Sequence, residues 1–166
     1  MNQKWKTTLL IIITLGSVTM QGAQARERKG RLGVGMSNQF INGVPAISLK
    51  LQRSSTFGFA VLGGLNTDSD NGGMGMGGKV YKILFEEPNL NFFIAAGAAF
   101  LTQKINSASY SGFQIDLGGG SEFNFPGVES LGFSLEFGLG LNKLKHSMRV
   151  ETMGSSIVVA GAHFYL

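Results

Sequence analysis

The run Leu131-Gly132-Phe133-Ser134-Leu135-Glu136-Phe137-Gly138-Leu139-Gly140-Leu141-Asn142 sets large apolar residues on one face of an extended chain and Gly, Ser, Glu and Asn on the other. Alternation of period two over such a length is a β-strand with two different environments. Outward from it the same pattern returns, giving eight segments at 30–37, 44–52, 56–65, 74–85, 90–101, 111–125, 131–144 and 156–166. Their second faces carry small or charged residues, too little apolar surface to fill a shared interior. The apolar faces are therefore expected to point outward into lipid, and the chain is expected to be all-β: an eight-stranded antiparallel up-and-down transmembrane β-barrel. A soluble lipocalin-like binder would show the reverse arrangement, apolar inside and polar outside.

The breaks between segments alternate in length. Those at 53–55, 86–89 and 126–130 read as tight turns, and those at 38–43, 66–73, 102–110 and 145–155 as longer loops. In outer-membrane barrels short turns face the periplasm and long loops the exterior. An even strand count then returns both termini to the periplasm of a Gram-negative cell. Phe57, Phe59, Phe85, Phe92, Phe123, Phe125, Phe133 and Phe164 fall near the ends assigned to that side, as an interfacial aromatic girdle requires.

The first residues agree on the compartment. Lys4 and Lys6 precede an apolar run at 9–15, and Ala23-Gln24-Ala25 follows as a small-residue cleavage signal. Residues 1–25 read as a secretory signal peptide and 26–166 as one barrel domain. The formal charge of +4 becomes +2 once Lys4 and Lys6 leave, which does not point to nucleic acid. Cysteine is absent, so there is no disulfide, thiolate metal site or lipidated cysteine. The 25 Gly and 13 Phe suit a narrow barrel, with small residues inside and aromatics at the lipid boundaries.

At the C-terminus Val158, Ala160, Ala162, Phe164 and Leu166 share the outward face, with Tyr165 beside the end. This resembles the terminal-strand signature of bacterial outer-membrane proteins, although it ends in Leu rather than the usual Phe. The chain from residue 26 onward is similar in pattern and length to small eight-stranded barrels of the outer-membrane protein A or X type. The resemblance implies outer-membrane lipids and lipopolysaccharide as surroundings, the barrel-assembly machinery as a partner in biogenesis, and a monomer. Fold alone does not assign the function.

Inward positions include Arg31, Lys50, Gln52, Lys82, Gln114, Asp116, Glu122, Asn124, Glu136, Asn142 and His163. An eight-stranded barrel is only wide enough for side chains to fill, and charges enclosed there must pair. The expected network sets Asp116, Glu122 and Glu136 against Arg31, Lys50 and Lys82. It reads as a polar plug that closes the barrel, with a gate for a narrow water or ion path as the alternative. Lys79 shares a face with Tyr81, Ile83 and Phe85, so it either snorkels or a bulge within 72–78 shifts the register.

His146-Ser147 and Glu151 bring catalysis into view, because lipid A deacylases of this barrel size use a Ser, His and Glu set. In those enzymes Ser and His lie two apart on one strand face. Here they are adjacent and would point to opposite faces, so no catalytic role is expected and a lipid A-modifying enzyme is the alternative. The Gly-rich segment 73–78 has no Lys-Ser/Thr pair or following helix, and Asp68, Asp70 and Asn71 lack the closing Glu of a calcium loop, where Lys79 stands. Met74 and Met76 have no His or Cys nearby. No cofactor or metal is expected. Lys143, Lys145 and Arg149, with His146, cluster at the exterior end, where cations would meet lipopolysaccharide phosphates. The expected role is structural or surface-interacting.

Overall fold

The computed structural model describes residues 30–144, 147–154 and 156–166, so the expected signal peptide and the residues Lys145 and His146 lie outside the described part. The chain forms β1 (Leu32–Ser37), β2 (Ala46–Gln52), β3 (Phe57–Asn66), β4 (Gly73–Glu87), β5 (Leu90–Ile105), β6 (Ala108–Asn124), β7 (Leu131–Lys143), β8 (Arg149–Thr152) and β9 (Val159–Tyr165). Each of β1 to β6 pairs antiparallel with the next strand, and the ring closes through β6–β7, β7–β9 and β9–β1. β8 and β9 share one edge of β7, so the nine strands make eight staves, the last of them split. All pairs are up-and-down neighbours, the barrel expected from the alternation.

β8, the first piece of the split stave, lies inside the expected 145–155 loop. Thr152 stands opposite Leu139 and Val159 opposite Glu136, so the chain detours between them. Gly154, at φ +68°, takes the turn, and Met153 is drawn inward and buried. The expected 102–110 loop is also largely strand. β5 and β6 run on to a two-residue turn at Asn106-Ser107, both left-handed at φ 49° and 67°, the dihedral signature of a type I′ hairpin.

Outside, the barrel is oily. Met76, Leu117, Phe137 and Leu139 are each 60–70% exposed, in a continuous apolar surface that a soluble monomer would cover. At the end holding Gly30 and Leu166 the Phe residues form a belt: Phe85 packs on Phe92, and Phe123, Phe125 and Phe133 pack on one another with centroids 5.8–5.9 Å apart. The interior is less polar than the alternation suggested. Phe40, Ala46, Leu62 and Leu101 make one buried apolar cluster, and Ala60, Tyr81, Phe93 and Ala95 another.

Candidate functional site in the barrel lumen

Strand phase decides which charges enter the lumen, and β4 corrects the expected set. Lys79 points inward with Tyr81, whereas Lys82, expected in the network, is exposed on the outer face between Phe57 and Ile94. The cause is a bulge, though not in 72–78. Ile83 pairs with Phe93 and Phe85 with Phe92, leaving Leu84 unmatched, so the phase changes there. Carrying the outward direction of Phe85 back through Leu84 puts every earlier residue of β4 on the wrong side.

Two ion pairs sit in the lumen. Lys79 donates to Glu136 at 2.6 Å and Lys50 to Glu122 at 2.5 Å, all four residues buried. Each is supported by further bonds, which a buried pair needs if its attraction is to offset desolvation. Tyr165 donates its hydroxyl to Glu122 at 2.5 Å, and the Lys50 ammonium lies 4.3 Å from the Tyr81 ring centroid. The Lys79 ammonium lies 5.6 Å from the centroid of the same Tyr81 ring, so both ammonium groups meet one aromatic. His163 bonds Ser48 at 2.9 Å on the wall nearby. Room for the longer side chains comes from glycine on the neighbouring strand: a methyl on Gly120 would stand 2.9 Å from Glu136 Cγ.

Arg31 departs from its expected place. It lies at the mouth beside Leu166 and donates to the Tyr165 and Leu166 carbonyls and to Ser130, not to a lumen carboxylate. Asp116 is in the lumen as expected, but its partners are amides: Gln39 and Gln114 each donate to its Oδ2 at 2.6 Å. Its Oδ1 is buried without a partner, as is Nδ1 of His163.

Gln39 was not legible as a lumen residue, since it belongs to the 38–43 loop expected at the exterior. The connection between β1 and β2 instead folds into the barrel. Gln39 accepts from Lys79 and donates to Asp116, the Ile41 N–H donates to Gln114 at 2.9 Å, and Phe40 has no exposed surface. Gly75 accommodates the ring, because a Cβ there would stand 2.5 Å from it. Asn42 donates to the carbonyls of Met74 and Thr102, pinning the loop to the opposite wall. Two consecutive apolar residues, Phe40-Ile41, in an otherwise polar loop are the signal that could have revealed this.

The described members of the basic cluster, at the end away from Gly30 and Leu166, are divided by the strand pleat. Lys143 is exposed on the outer face, while Arg149, paired with the buried Asn142, lines a cavity at the mouth. Ser147 and Glu151 line that cavity too, and Glu151 accepts from the Asn142 amide at 2.5 Å. Among the described residues no group of three His, Cys, Asp or Glu is placed to hold a metal. In the 67–72 turn the Asn71 and Asp70 N–H groups bond the Asp68 carboxylate and hold it below its ordinary pKa range, which fits a self-satisfied turn.

Compared with known proteins, the chain matches in three dimensions the N-terminal β-barrel domain of Pseudomonas aeruginosa OprF, with a TM-score of 0.57 and 15% sequence identity. The match covers 84% of this chain and 100% of that domain. The chain has the fold of the OprF barrel. No protein-family model matches the sequence, and no curated protein matches it. At this identity the likeness to the OprF barrel carries the architecture: a small closed antiparallel barrel whose lumen is narrow enough for side chains to occupy.

Proposed function

We propose that the protein is an integral outer-membrane barrel with a structural or surface-interaction role, its lumen closed by the 38–45 loop and the Lys–Glu pairs. The single observation that carries this reading is the combination of an exposed apolar outer wall with an interior whose buried charges are paired. The OprF-type fold supports it. The protein acts as a monomer, with both termini periplasmic beside the Phe belt, and its terminal strand is read by the barrel-assembly machinery during insertion. Lys82 then snorkels to inner-leaflet headgroups at the belt. A gated narrow path is the second reading. It is favoured by one observation, that the closure on the far side is a loop and not the wall itself.

Insertion is tested at Leu135, an outward residue near the middle of β7. Leu135→Arg places a charge in hydrocarbon and is expected to cost about 2–4 kcal/mol in urea unfolding from lipid vesicles. The wild-type protein should stay in the membrane pellet through carbonate and high-salt washes; release without detergent overturns the reading.

The surface role predicts a division of labour among the cations. Lys143 faces outward and Arg149 inward, so Lys143→Gln with Lys145→Gln should lower lipopolysaccharide co-purification and weaken its salt dependence, while Arg149→Gln leaves it unchanged. Equal co-purification in all variants would assign these lysines to solubility alone.

A further inference from the structure

The inturned loop leaves the far mouth of the barrel unfilled. Above Ile41 a cavity of about 210 Å³ is walled by Ile105 of β5, Leu144 after β7, Asn142, and Arg149 and Glu151 of β8. Three aliphatic side chains meet five polar ones there, Gln103 and Ser147 completing an amphipathic lining. The charges are not neutralised against each other. Glu151 is engaged by the Asn142 amide, and among the described residues no carboxylate lies within ion-pair distance of Arg149. A cation with open donors beside aliphatic surface in a concave chamber supplies the elements of a small-molecule site, on a smaller and more polar scale than most.

We propose that this cavity binds a small amphipathic carboxylate. Arg149 receives the carboxylate, whose planar pair of oxygens matches the guanidinium fork. A short hydrocarbon body lies on Ile41, Ile105 and Leu144. Size and charge narrow the class. The volume equals about seven waters at roughly 30 Å³ each, which admits a chain of a few carbons and excludes a full lipid. A dianionic phosphate would face Glu151 with one cation to balance it, so a monoanion fits better. The occupant rests on Ile41, whose N–H is held by Gln114, so it sits directly on the loop that closes the lumen. None of this depends on the direction of membrane insertion.

The test uses the folded protein in detergent micelles, with hexanoate as the probe, acetate and 1-hexanol as comparators, and empty micelles as the blank. Amide NMR shifts of Ile41 and Asn142 should saturate with hexanoate at a Kd at least about tenfold below either comparator, the gain over 1-hexanol coming from one charge-assisted hydrogen bond and the gain over acetate from burial of the alkyl chain. Arg149→Gln should weaken hexanoate by about tenfold or more and leave 1-hexanol unchanged, with the heat-modifiable folded band retained on gels. Hexanoate binding no tighter than both comparators, or unaffected by Arg149→Gln, overturns the proposal. The wild-type comparison stands whether or not the variant folds.

Discussion

Glu136→Ala is expected to lower the unfolding free energy by about 3–5 kcal/mol, because it leaves the buried Lys79 ammonium with an amide in place of its carboxylate. The penalty is that of a stranded charge rather than the net value of the pair. Lys79→Met combined with Glu136→Leu should therefore recover most of the loss, since a buried pair replaced by apolar residues of similar volume is often neutral. Urea unfolding in lipid vesicles, followed by the Trp-independent far-UV signal, measures both. A single variant that unfolds like the wild type would show that Lys79 and Glu136 are not coupled in the folded barrel.

The second large effect belongs to the loop. Phe40→Ala removes a ring that is wholly buried against Ala46, Leu62 and Leu101, and large-to-small changes of this kind cost about 3–5 kcal/mol. Part of that penalty can be relieved if the loop leaves the lumen, which makes the electrical readout decisive. In planar bilayers the variant is expected to show more frequent or larger conductance steps than the wild type. Lowered stability without any change in current would mean that the Lys–Glu pairs below the loop close the barrel by themselves. Unchanged stability would contradict the burial of Phe40.

Much of this architecture is legible in the chain because most strands obey a strict period of two. In β6 and β7 every inward polar residue read from the alternation, from Gln114 and Asp116 to Glu136 and Asn142, is buried. The failures have local causes. One unmatched residue, Leu84, exchanged the faces of Lys79 and Lys82, because alternation carries no record of an inserted residue. β8 escaped notice since four residues are too few to establish a period. The inturned loop depends on a partner far along the sequence: nothing within 38–45 reveals that Gly75 leaves a space for Phe40. For the cavity, Glu151 and Arg149 stood out by residue type, but the aliphatic half of its lining comes from separate strands and loops.

The contacts of that loop also set an order of events. Gln39 and Ile41 bond Asp116 and Gln114, partners 77 and 73 residues later in the chain. The first hairpin can pair β1 with β2 early, yet its connecting segment has nothing to seat on until β6 has arrived. Contacts at such separation carry a large loop-closure cost before they reward it, and they slow folding. The first connection of the barrel is thus among the last segments to reach its native position, and its arrival marks a barrel whose far wall is already in place.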